Sequence, residues 1–196
     1  MADYEKSLVV EKLNKWDRFL AENSLPSWDS LPSFELYMDQ VIVLLSQYLS
    51  YIPQDDTEGP RITASIINNY VRMRVMPAPV KKKYSRIHIA YLIMICTLKQ
   101  SLSISYIRKI LPSLNDEEHI RAVYSSFTEI YATATRFFRE NARVGASELL
   151  SESGGDDQIT SYVMSAVIVS NFSKFLAEKL LNLKNAAPQS GRGDPS

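Results

Sequence analysis

The chain has 196 residues, 45% of them hydrophobic, which suffices for one substantial domain or two small ones. Lys plus Arg and Asp plus Glu number 22 each, so the formal net charge is zero, and six glycines with few alternating apolar runs lean the composition towards helix. One cysteine, Cys96, excludes an internal disulfide and a cysteine-based zinc site.

Residues 4 to 22 place Leu8, Val9, Leu13, Trp16, Phe19 and Leu20 at three- and four-residue spacing, which predicts an amphipathic helix. A proline-interrupted loop, NSLPSWDSLPS, follows from Asn23 to Ser33. FELYMDQVIVLLSQYLSYI is strongly apolar and predicts a helix over about 34–52, closed by the loop PQDDTEGP over 53–60. Thr63 is placed to cap a short helix running to about Arg74 and ending before Pro77. The segment VMPAPVKKKYSR then interrupts the helical pattern, with room for a short strand near Lys82 to Tyr84.

Ser85 is a natural cap for a helix through about Gln100, and Ser103 for a shorter one, ISYIRKIL, stopped by Pro112. On the first of these, Cys96 reads as a buried structural thiol and His88 as an exposed side chain. Asn115 with Glu118 three residues later has the form of a capping box for a helix to about Arg143. GASELLSESGGDDQ reads as a linker, Asp156 or Asp157 as the start of a last helix through about Leu183, and NAAPQSGRGDPS as a disordered tail. The longest apolar run, Ile89 to Leu98, is about half a bilayer crossing, and the N-terminus has neither the basic start nor the apolar stretch of a secretion signal. The expectation is a cytoplasmic protein without a membrane partner.

The zero net charge conceals an asymmetry. Between Glu58 and Asp116 there is no Asp or Glu, and ten cations gather there, from Arg61 to Lys109. Such a localised basic surface is either a solvated face or the electrostatic footprint of nucleic-acid binding. Asn68 and Asn69 lie early in the short cationic helix. An asparagine amide can pair bidentately with adenine in a major groove, and the same two residues can equally be ordinary exposed helix positions. Arg72, Arg74 and the lysine run would supply phosphate contacts. Tyr70, Tyr84, Ile89, Leu92 and Ile107 read as core.

The order of short helix, proline turn, basic segment, capped helix, turn and capped helix resembles the MerR-type winged helix-turn-helix. ITASIINNYVRMRVMPAP is similar to that family's recognition helix and turn, with Thr63 near the cap, INNY (Ile67 to Tyr70) in the place of its IRYY, and Val75, Met76 and Pro77 at its end. Lys81 to Lys83 stand where the family has a basic wing. Tyr84, Ser85 and RIHIAYLIMI stand for the tyrosine, cap and helix that follow, and LKQSLSISYIRKIL for the next capped helix. As a whole the chain resembles a bacterial family of proteins of unknown function, DUF1836. It departs from the MerR pattern in having Arg74 for the glycine after the recognition helix, Asn68 for the arginine of IRYY and Asn69 for its neighbouring tyrosine.

The resemblance implies an all-α fold with a MerR-like winged helix-turn-helix at 60–112. An N-terminal segment (1–59) would pack on it, a C-terminal helical pair (113–186) would serve dimerisation or sensing, and 187–196 would form a disordered tail. It implies a sequence-specific transcriptional regulator binding double-stranded DNA through Thr63, Ser65, Asn68, Asn69, Arg72, Arg74, Lys81, Lys82, Lys83, Tyr84 and Arg86. A homodimer is expected, with Phe127, Tyr131, Phe138, Phe172 and Phe175 partly at the interface or in the shared core, and a small-molecule effector or protein partner could sit at the C-terminal helices. The alternative is a protein-interaction adaptor built on a degenerate helix-turn-helix that does not touch DNA. His88 and His119 lack the carboxylate neighbours of a metal or triad site, and the sequence has no P-loop or dinucleotide turn. No enzyme, cofactor or metal is expected.

Overall fold

The computed structural model describes residues 5–51, 62–112, 117–149 and 156–183. These form α1 (Lys6–Glu22), a 3-10 turn (Trp28–Ser30), α2 (Met38–Tyr48), α3 (Ala64–Arg72), α4 (Arg86–Leu98), α5 (Ile104–Ile110), α6 (Glu117–Leu149) and α7 (Asp156–Leu183). The loop expected at 53–60, the Asn115 cap, the middle of the linker and the tail lie outside the described residues.

The axis of the fold is α4. Every residue from His88 to Cys96 is buried, so the helix has no solvent face over about two and a half turns and must be covered on all sides. α2 covers one side with Val41 and Leu45, and α6 another with Ile120 and Tyr124, while Ile67 and Tyr70 of α3 and Ile107 of α5 join the same core. The loop before α2 closes the far side. Trp28 packs edge-on against Tyr124 with ring centroids 6.1 Å apart, and the Tyr124 hydroxyl donates to the carbonyl of Pro26 at 2.9 Å. Burial pushes the Cys96 thiol up to about 12, so it is an inert core group.

α2 starts at Met38, four residues later than its apolar pattern suggests. Leu36 is committed elsewhere: its N–H donates to the Tyr84 carbonyl and its carbonyl accepts from the Tyr84 N–H, both at 2.8 Å. Gln40 then caps the helix by accepting the Tyr37 N–H at 2.9 Å. α1 buries no side chain fully and lies against the outer half of α6. Trp16 meets Phe138 edge-on at 5.2 Å, and Asp17 takes Arg139 at 2.9 Å and Arg143 at 2.7 Å. Those two guanidinium groups, Arg139 first, hold the Asp17 carboxyl at about 2, so the clamp stays charged through the pH range in which ordinary carboxylates protonate.

The winged element is not formed. A wing is a β-hairpin of paired strands, and the described residues contain no strand, only isolated bridges at Leu36–Tyr84 and Val80–Lys83. The fold is an all-α bundle, not a winged helix-turn-helix. One helix bears on the membrane expectation without overturning it. α7 is long and apolar enough, by length and composition, to cross a bilayer. Its serines and Asn171 break the apolar run, which hides it from a search for uninterrupted stretches. The described residues have no multi-span membrane architecture.

Arg74 is the residue that ends α3. It adopts φ 54°, its N–H reaches the Val71 carbonyl at 3.0 Å, and the next N–H, of Val75, reaches Tyr70 at 3.1 Å. This is a Schellman cap with arginine at the left-handed position that favours glycine. Arg74→Gly should relieve about 1 kcal/mol of strain. A thermal midpoint about 2–4 °C above wild type is expected, and a fall would show that the arginine side chain stabilises the cap.

Candidate protein-interaction surface

The segment before α2 and the segment before α4 are joined at Leu36 and Tyr84. Val80 and Lys83 exchange backbone hydrogen bonds at 2.9 and 3.2 Å across a two-residue turn, in which Lys81 and Lys82 stand at φ 49° and 64°. Both central residues at positive φ make this a type I′ geometry, for which asparagine and glycine are the favoured occupants. Two lysines there hold the turn at a local cost of about 1–3 kcal/mol each, and strain of that kind concentrates at functional sites.

The base of the turn is anchored by His88, which is 6% exposed and not on the surface as expected. Its Nδ1 accepts the Ser85 N–H at 3.0 Å, and its Nε2 lies 3.2 Å from the Ala78 carbonyl. The two contacts require the neutral tautomer with the proton on Nε2. Burial lowers the His88 pKa below its ordinary 6.5, against the opposing pull of the Ala78 and Ser85 backbone and of Glu35. The unfolded chain therefore binds a proton that the folded chain refuses, and stability falls as pH drops below about 6.5 towards the folded pKa. The thermal midpoint should be lower at pH 5.5 than at 7.5, with His88→Gln removing that part of the slope. An unchanged wild-type midpoint would contradict the neutral, buried imidazole.

Beside this turn lies a groove of about 380 Å³ lined by Pro32, Phe34, Leu36, Val43 and Leu44, with Asp39, Gln40 and Gln47 at its polar edge. Phe34 is 65% and Val43 59% exposed. The groove adjoins the lysines through Lys83, which reaches Glu35 at 3.3 Å and lies 6.0 Å from the Tyr37 ring. Glu35 and Tyr37 are the chain neighbours of Phe34 and Leu36.

Of the residues expected to bind DNA, Ser65, Asn68, Asn69 and Arg72 come together along α3 beside a separate cleft of about 390 Å³. Within it Arg72 donates to Asn69 Oδ1 at 2.7 Å. Thr63 caps α3 by accepting the Ile66 N–H at 3.3 Å. Tyr84 is buried in the core, and Arg86 lies 5.7 Å from the Trp28 ring with its Nε enclosed by protein. Arg74, Lys81 and Lys82 are exposed, whereas Lys83 is engaged by Glu35. Sequence reasoning missed the groove. Its signal was Val43, an apolar residue off the Val41–Leu45–Leu49 stripe that buries α2. Among the described residues no group of three His, Cys, Asp or Glu side chains could hold a metal ion.

These features define an all-α domain with an apolar groove and a strained basic turn on one surface. The domain-of-unknown-function family DUF1836 matches residues 26–132, more than half of the chain, and the chain belongs to that family. The match runs from the loop before α2 into the first half of α6 and includes both the groove and the turn. Comparison with curated proteins and with solved structures finds no match. The DNA-binding regulator expected from the sequence is thereby overturned: its wing is replaced by a two-residue turn, and no relative of that activity supports it.

Proposed function

We propose that the protein is a protein-interaction adaptor, without enzymatic activity, whose groove on α2 holds a short segment of another protein. One observation carries the reading: an apolar groove lies open on α2, and Lys83, at the end of a strained basic turn, contacts Glu35 and Tyr37, the chain neighbours of groove residues Phe34 and Leu36. Exposed Phe34 and Val43 would gain most from being covered, since each buries apolar area worth about 25 cal/mol per Å². Lys83, which adjoins the groove through Glu35 and Tyr37, and its chain neighbours Lys81 and Lys82 would select the flanks of the segment, because cations near a binding surface steer carboxylates and repel basic sequences. The partner is therefore a segment with bulky apolar side chains flanked by Asp or Glu. The reading goes with a cytoplasmic protein.

The test is selection from a displayed peptide library on the immobilised full chain at low salt. Enrichment of apolar, acid-flanked peptides whose affinity falls with added salt is the expected result. The proposal fails if no sequence is enriched, or if the enriched peptides bind a Phe34→Ala, Val43→Glu double variant as well as wild type.

A further inference from the structure

Outside the family-matched region, α6 continues to Leu149 and α7 follows, and both expose large apolar side chains. Along α6, Phe127, Ile130, Ala134, Phe137, Asn141 and Val144 recur at alternating three- and four-residue spacing, the last four of them beyond the family-matched region. That is a heptad seam with Ile130, Phe137 and Val144 at the d positions. Phe127 packs partly on the core, but Phe137 is 70% exposed and Ile130, Ala134 and Asn141 are exposed with it. The face that meets α1 is a different one, carrying Phe138, Arg139 and Arg143.

α7 repeats the situation. Ile159 is buried and Leu181 packs against the core, while Met164, Ile168, Phe172 and Phe175 form an exposed stripe on the opposite side, with Phe172 67% exposed. The two helices together expose Ile130, Phe137, Met164, Ile168, Phe172 and Phe175, and a stable interface covers about 800 Å² per partner. A monomer's largest apolar patch is usually about 300–600 Å².

We infer that this surface is the interface of a homodimer, in which the α6 seams of two copies pair in parallel and α7 flanks them. Asn141 identifies the second copy as the occupant. It is the polar member of the seam, at an a position, where a parallel, in-register pair sets asparagine against asparagine and fixes both register and strand number. In the free chain its Nδ2 donates only along its own helix, to the Phe137 carbonyl at 2.8 Å. A bilayer is a poorer occupant despite the composition of α7. Ile159 near one end is buried in the protein, and at the other end Asn182 reaches the Tyr106 hydroxyl at 3.2 Å and Lys109 reaches the Asn182 side chain, also at 3.2 Å. A spanning helix would put those ends on opposite sides of the membrane. Of the aromatic residues expected at a dimer interface or in the shared core, Tyr131 packs at a tilt against Tyr51 at 5.2 Å and Phe138 edge-on against Trp16 at 5.2 Å, within the single chain, while Phe172 and Phe175 are exposed. The inference is independent of the α2 groove, and either can fail without the other.

Sedimentation equilibrium of the full chain at roughly 1–100 μM tests it, with a mass twice the 22.3 kDa of one chain expected. Phe137→Glu and Phe172→Glu,Phe175→Glu should each give the single-chain mass with the helical circular dichroism kept. Asn141→Cys supplies the geometric readout even if those variants fold poorly. Mild oxidation should give a covalent dimer through that position, whereas Arg136→Cys, on the flank of the seam, should cross-link far more slowly. A wild-type chain that stays at 22.3 kDa throughout overturns the inference, whether alone or floating with liposomes. So does a dimer that Asn141→Cys cannot cross-link.

Discussion

Leu92→Ala should lower the stability of the protein by about 2–5 kcal/mol, the largest effect expected of any single substitution discussed here. Leu92 lies in the middle of α4, is fully buried, and belongs to the nine-residue stretch His88–Cys96 with no solvent face. Truncation leaves a cavity that α2 and α6 cannot both close on, because each is also fixed to the other elements around the core. For a chain of this size the loss corresponds to a fall of about 5–15 °C in the thermal midpoint. Ile168→Ala on α7 should by contrast leave the midpoint of the single chain nearly unchanged, as Ile168 is exposed. Equal effects at the two positions would mean that the core is not centred on α4.

The second large effect is on binding and not on stability. Val43→Glu replaces an exposed apolar side chain in the floor of the groove with a carboxylate, four residues from Asp39 on the same helix. Stability should stay within about 0.5 kcal/mol of wild type, because the site is open to solvent. Affinity for an apolar, acid-flanked segment should fall more than tenfold, a loss above about 1.4 kcal/mol, from lost burial and from repulsion between like charges. Lys81→Gln,Lys82→Gln should weaken the same ligand more mildly and flatten its salt dependence. Isothermal titration at two salt concentrations separates the two contributions. A Val43→Glu variant that binds as wild type would remove the groove from the site.

The helices were legible because their signals are local. Ser85, Ser103 and Pro112 mark the bounds of α4 and α5, and three- and four-residue spacing of apolar side chains places α1, α6 and α7. Membership of DUF1836 was likewise carried by residues within the matched region. The start of α2 was not legible, since Leu36 pairs with Tyr84, 48 positions away, and no local pattern announces that contact. His88 was misread for the same reason: a polar residue in the first turn of a helix is usually solvated, and its burial is tolerable because the Ser85 N–H satisfies one ring nitrogen and the carbonyl of Ala78, from the preceding loop, the other.

The wing was misread for a different reason. A basic run between two caps is compatible with a hairpin or with a tight turn, and the choice depends on backbone dihedrals that lysine does not advertise. Lys81 and Lys82 adopt the glycine-like region without being glycine. The groove was hidden in an excess. α2 carries more apolar side chains than one buried face can use, and Val43 reads as one more core residue until the helix is oriented. Functional sites commonly break a local rule in this way.

Under the proposed function, the α2 groove is where the protein meets its partner. Methyl-resolved NMR of the full chain, titrated with a selected apolar and acid-flanked peptide, tests it most directly. The account predicts that the methyl signals of Val43, Leu44 and Leu36 shift first and saturate together, while those of Met164 and Ile168 on α7 do not move. Saturable shifts confined to α6 and α7, with Val43 and Leu44 unperturbed, would contradict it.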